Sequence, residues 1–167
     1  MNTKTQKKRK TDKIDLNIMR ILQQEGRISY TELADRVGLS TTPCMERVKR
    51  LEKDGLIEGY HARINPEALG YGMLVFVEIA LSYQSPDAFE RFNRAVESLP
   101  YIMECHLVSG DSDYLIKARI SDMTEYRELL GEMLLTLPGV KNSKSYIVME
   151  EVKESSELPI DPSKPRS

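Results

Sequence analysis

The chain is poor in the residues that reactive chemistry draws on: two cysteines, two histidines and no tryptophan among 167 residues. Cys44 and Cys105 stand far apart, inside segments expected to be regular. They read as buried free thiols of a reducing compartment, not as a disulfide or a metal site. His61 and His106 have no histidine or cysteine partner at ligand spacing, so no metal is expected, and His106 reads as a strand residue at an interface. No Ser/His/Asp set and no phosphate-cradling glycine loop is evident, which argues against an enzyme. The tyrosines and phenylalanines fall at core spacing and form no stacking platform for single strands. No apolar run approaches the roughly 18 residues of a membrane span. The basic N-terminus lacks the apolar segment of a signal peptide, so a cytoplasmic protein is expected.

What is present is divided by charge. Residues 1–64 carry 14 Lys/Arg and 9 Asp/Glu, whereas residues 65–167 carry 10 and 17. A basic half and an acidic half suggest one module for a polyanion and one with another task.

The basic half holds the more specific pattern. Residues 1–11 are polar and cationic and read as a disordered arm. Asp12 caps an expected helix with Ile14, Ile18 and Ile21 or Leu22 at helical spacing, ending near Glu25-Gly26. Ser29 and Glu32 have the spacing of a capping box, flanked by Ile28 and Leu33 as a hydrophobic staple. Leu33 and Val37 give the second helix its stripe, and Gly38 allows a sharp turn. Ser40 or Thr42 caps the third helix, Pro43 fits its first turn, and Met45, Val48 and Leu51 face inward. Ile57–Tyr60 and Ala62–Ile64 read as a short β-ribbon or wing, which closes a domain over 12–64.

Two short helices around a glycine turn, the second with a row of cations, form a helix-turn-helix. Duplex DNA is the partner this pattern implies. Ser40, Thr41, Thr42, Glu46, Arg47 and Arg50 are assigned to the DNA surface, with Arg47 as the candidate for bidentate guanine contact. Lys49 reads as a phosphate neighbour. Lys7, Lys8, Arg9 and Lys10 either add phosphate or minor-groove contacts or serve as a solubilising tail.

A linker over 65–72 leads to a second domain over 73–152, followed by a frayed tail over 153–167. Met73–Leu81 is an apolar strand; Ser85 and Pro86 open a helix with Phe89, Phe92 and Val96 inward. Strands Tyr101–Val108 and Tyr114–Ile120 flank the Gly110–Asp113 turn. Ser121 or Asp122, with Glu125, starts another helix, and Ser143–Met149 is the last strand. The order βαββαβ predicts a ferredoxin-like antiparallel sheet with both helices on one face, so the whole chain is α+β. The other face of Met73–Leu81 is too apolar to stand in water, and a twofold pairing of sheets would cover it. An obligate homodimer through the acidic half is expected.

Several segments together resemble the Lrp/AsnC (feast/famine) regulators: VGLSTTPCMERVKRLEKDGLI, LVFVEIAL and ECHLVSGDSDYLIKARISDM. The resemblance spans roughly residues 12–153. It implies a ligand-sensing C-terminal domain, dimers that assemble further, often to octamers, and an amino-acid effector, leucine or another small apolar one. No other cofactor is implied.

A zwitterion needs backbone amides for its carboxylate, an anion for its ammonium and an apolar pocket for its side chain. Gly110 with the following amides can supply the first, Asp111 or Asp113 the second, and Leu107, Met123, Tyr146 and Val148 the third. Gly-Asp-x-Asp is also an ordinary hairpin turn. The function expected is a sequence-specific transcriptional regulator responding to an amino acid. The alternative is a nucleoid-type architectural protein with weak sequence preference.

Overall fold

The computed structural model describes residues 11–163, apart from the side chain of Leu134. The chain divides into two compact units: one runs to Arg63 and resumes at Glu154, and the other is Ile64–Lys153. The basic arm expected over residues 1–11 lies outside the described residues except for Thr11.

In the first unit, α1 (Lys13–Leu22), α2 (Tyr30–Val37) and α3 (Thr41–Lys53) form the trihelical arrangement. Asp12 caps α1 in a reciprocal box: its carboxylate accepts the Asp15 N–H at 2.8 Å, and Asp15 accepts the Asp12 N–H at 3.2 Å. At α2, only half of the expected box is made. Ser29 Oγ accepts the Glu32 N–H, while the Glu32 carboxylate turns to Arg36 at 2.6 Å, an i,i+4 pair that competes for it. Gly38 ends α2 at φ 71°, in the left-handed region that a side chain disfavours. Ser40 is the N-cap of α3 but makes no side-chain capping bond.

Ile18, Leu33, Cys44, Val48 and Leu51 make the core, each no more than 1% exposed. The inward stripe of α3 therefore runs 44–48–51, and Met45, expected inside, is only half-buried. Each fully buried aliphatic side chain contributes about 1.5–3 kcal/mol, against about 0.2–1 kcal/mol for an exposed ion pair. Apolar packing, more than surface charge, thus holds the helices together.

The expected wing is not paired: residues 58–65 run without a ladder, and Tyr60 donates its hydroxyl to Glu52 of α3 at 3.0 Å. The tail expected to fray does not leave the unit. The Gln23 side chain meets Leu158 twice, donating to its carbonyl at 2.9 Å and accepting its N–H at 3.1 Å. Gln24 donates to Glu157, and Arg63 pairs with Glu154 at 2.8 Å. Main-chain hydrogen bonds to a side-chain amide need no apolar periodicity, which is why the tail read as unstructured.

The second unit contains a 3-10 turn at Glu67–Leu69, then β1 (Met73–Leu81), α4 (Pro86–Glu97), β2 (Ile102–Leu107), β3 (Tyr114–Ile120), α5 (Met123–Thr136) and β4 (Val140–Ile147). The sheet order is β2-β3-β1-β4, antiparallel throughout, with Val77 opposite both Ile116 and Ser145. β4 starts three residues before the expected Ser143, because Val140 pairs with Leu81 past a register shift that simple alternation does not reveal. Val75, Val77, Ile79, Ile116 and Ile120 point to one face and pack with Phe92 of α4 and Leu129 and Met133 of α5. Phe92 stacks on Tyr114 at 4.2 Å between ring centroids.

The other sheet face mixes apolar and polar groups. Phe76 and Leu115 are half-buried there, and Tyr146 donates its hydroxyl to Glu78 at 3.1 Å. Lys117 reaches Glu104 at 2.8 Å, and Arg119 makes two bonds to Glu151.

Candidate nucleic-acid interface and effector loop

α3 presents Thr41, Thr42, Glu46 and Lys49 to solvent, with Ser40 at its start also exposed. These residues follow the i, i+4, i+7 spacing of one helix face, opposite the buried 44–48–51 stripe. The polar set expected at DNA is therefore brought together on one surface.

Arg47 and Arg50 lie at the rim of that surface, and the structure changes their reading. The Arg47 guanidinium turns toward α1, where Nη1 donates to Asp12 Oδ2 at 2.6 Å and to Asp15 Oδ1 at 2.8 Å. Arg50 Nη2 meets the second oxygen of Asp15 at 2.6 Å. Asp15 is 1% exposed and joins one helix to two arginines of another. Burial opposes ionisation of Asp12, but the hydrogen bonds from Arg47 and the Asp15 amide outweigh it and hold the carboxyl below its usual range. The same bond to Asp12 raises the Arg47 guanidinium further, against the desolvation that would lower it. Spacing on α3 placed the two arginines on one side. That Asp12 and Asp15 face them follows only from packing α1 on α3; the sequence signal, an aspartate pair in the first turn of α1, points equally to capping.

The effector loop is also changed. Gly110 takes φ 134°, and the loop closes back on β1 rather than opening as a free anion. Asp113 is 8% exposed; its carboxylate accepts the Leu81 N–H at 2.7 Å and the Gln84 amide at 2.8 Å. The free anion expected at Asp113 is thus corrected: its lone pairs are engaged by the chain itself, which leaves Asp111 as the exposed carboxylate of the pair. Gln84 was not foreseen, since nothing in its local pattern marks it. Ser112 donates to Glu78 at 3.3 Å, beside Tyr146.

The four expected wall residues are not gathered in one chain. Leu107 pairs with Tyr114 at the start of β3, whereas Met123 follows its end at Ile120. Six strand steps separate those ends, about 20 Å. Val148 donates to the Leu74 carbonyl, near the Met123 end, and Tyr146 pairs with Phe76 between the two. Leu107, Met123 and Tyr146 are 63%, 47% and 40% exposed. Both thiols are free; burial pushes Cys44 up and Cys105 up to about 11, so neither is a thiolate near neutral pH.

Comparison with known proteins agrees with this architecture. The Lrp/AsnC ligand binding domain family matches residues 74–158, and a winged helix-turn-helix DNA-binding family matches residues 11–58. The chain is 60% identical over 149 residues to the leucine-responsive regulatory proteins of Escherichia coli and Salmonella typhimurium, covering 89% of this chain and 91% of each relative. It is similar in structure to a Neisseria meningitidis transcriptional regulator solved as an L-Met complex, with TM-score 0.85 and 34% identity over 90% of this chain and 97% of that one. An AsnC family transcriptional regulator from Agrobacterium tumefaciens is equally similar, with TM-score 0.85 and 34% identity over 89% and 97%. A DNA-reading trihelical unit and a βαββαβ ligand-binding unit in one chain place this protein in the Lrp/AsnC family of transcriptional regulators.

Proposed function

We propose that the chain reads specific duplex sites with α3 and that an amino acid bound at its second unit, leucine or another small apolar one, changes that reading. The observation that carries the DNA half is the exposed face of α3, where Thr41, Thr42, Glu46 and Lys49 stand together away from the core. The effector half is supported by relatives named for their response to leucine and by the L-Met complex of a structural neighbour.

The wall residues argue for assembly. Leu107 and Met123 lie about 20 Å apart along β3, so one chain cannot close around a single amino acid with both. A second copy completes the pocket around Gly110, Asp111, Tyr146 and Val148. The mixed face bearing Phe76, Leu115 and Tyr146 is the surface through which a homodimer forms. Dimers then associate further, to an octamer. Pairing also sets two recognition helices on half-sites about one helical turn, roughly 10–10.5 bp, apart. No resident cofactor is assigned, and the working compartment is the cytoplasm.

Isothermal titration with a panel of amino acids, alongside light scattering, tests this. Leucine or a neighbour of similar size is expected to bind and to shift the mass distribution of the assembly. A monomer that binds no amino acid overturns the effector reading. Competition between duplexes selected from a random pool and unselected DNA, across salt concentrations, separates a specific regulator from an architectural protein. Equal affinity for the two overturns the specific reading.

A further inference from the structure

We propose that Arg47 is a phosphate-binding residue of the DNA interface and that Asp12 occupies it as a stand-in for the phosphate until DNA arrives. The inference rests on α3 entering a DNA groove and adds a role for a residue pair within that surface.

The two carboxylates on Arg47 differ in kind. Asp15 is buried and divides its oxygens between Arg47 and Arg50, so it stays with the protein as a permanent anchor. The Asp12 side chain is 50% exposed and offers only Oδ2 to Arg47, its other oxygen capping α1. An aspartate oxygen at 2.6 Å from a guanidinium nitrogen has the geometry and charge of a phosphate oxygen at the same place. Arg47 follows Glu46 at the rim of the exposed α3 face, where cations that flank a recognition helix meet the DNA backbone. On docking, the phosphate replaces Asp12 on Arg47 Nη1, while Asp15 keeps the side chain aimed. Asp12 therefore tunes affinity downward: it holds Arg47 ready and competes with every phosphate for it.

The test uses the full chain and fluorescence anisotropy with two duplexes, one selected from a random pool and one unselected. Asparagine is as good an N-cap as aspartate, so Asp12→Asn removes the charge without uncapping α1, which circular dichroism checks. Asp12→Asn is expected to tighten both duplexes about two- to fivefold, the range of one exposed ion pair. It is also expected to steepen the log–log salt slope by about 0.9, one phosphate contact. The gain disappears in the Arg47→Ala background. Arg47→Ala alone weakens both duplexes alike, as a phosphate contact does and a base contact does not. No gain from Asp12→Asn, or the same gain with Arg47 removed, overturns the proposal while leaving the DNA reading intact. Wild-type chain that binds neither duplex at low salt overturns both.

Discussion

The Asp113 carboxylate accepts the backbone N–H of Leu81 at 2.7 Å, at the point where β1 runs past its pairing with β3. A side chain thereby continues the ladder where no opposing carbonyl stands, and Gln84 is drawn to the other oxygen. The loop from Gly110 is fastened to β1 by this one residue and by its N–H, which donates to the Ile79 carbonyl.

Asp113→Ala leaves a buried amide without an acceptor, and a loss of about 1–3 kcal/mol is expected. Asp113→Asn keeps an oxygen for Leu81 and should recover most of it. Urea unfolding of the three proteins gives the comparison. Amino-acid binding is expected to fall in the alanine variant and return in the asparagine one, as befits a residue that positions the loop. Loss in both variants alike would mark Asp113 as a direct ligand.

Gly38 offers a cleaner test of backbone conformation. A Cβ there would meet nothing within 4 Å, so space is no obstacle. Its φ of 71° is, and Gly38→Ala should cost about 1–2 kcal/mol from that cause alone. Gly38→Asn should cost less, since asparagine tolerates the left-handed region. Thermal unfolding would show the order glycine, asparagine, alanine; an alanine variant as stable as wild type would mean the turn relaxes.

The acid side of the stability profile follows from Asp12. Its carboxyl titrates lower in the folded chain than its ordinary 3.8, so the folded state binds fewer protons there than the unfolded state. The resulting stabilisation is full above pH 4 and is lost as pH falls through the lowered value. Half exposure of the side chain keeps the effect small. Asp12→Asn should flatten the stability of the first unit between pH 5 and pH 2. Parallel acid titrations of the two proteins, followed by circular dichroism, check this; identical acid limbs would remove Asp12 as a contributor.

Much of the fold was legible because local and global signals agreed. Ser85-Pro86 with Phe89, Phe92 and Val96 located α4, and both bounds of β1 and β3 came from apolar runs between turns. Legibility failed where a partner distant in sequence decides. Cys44 takes the inward position expected of Met45, since the angle at which α1 and α2 press on α3 selects its buried face. Arg47 read as free because its spacing on α3 carries no trace of Asp12 and Asp15, some thirty residues earlier. Asp113 read as a ligand because a turn sequence does not show which carboxylate folds inward. The open surface of α3 was the part of the candidate site most fully written in local pattern, from Ser40 to Lys49.

The return of Glu154–Leu158 to α1 gives the chain an unusual topology for its parts. The ligand-binding unit is, in effect, an insertion into the DNA-reading one, with splice points at 63/64 and 153/154. A graft of the reading unit into a different regulator would have to carry both flanks. One that stopped at Arg63 would strip Gln23, Gln24 and Arg63 of the neighbours they hold in the intact protein.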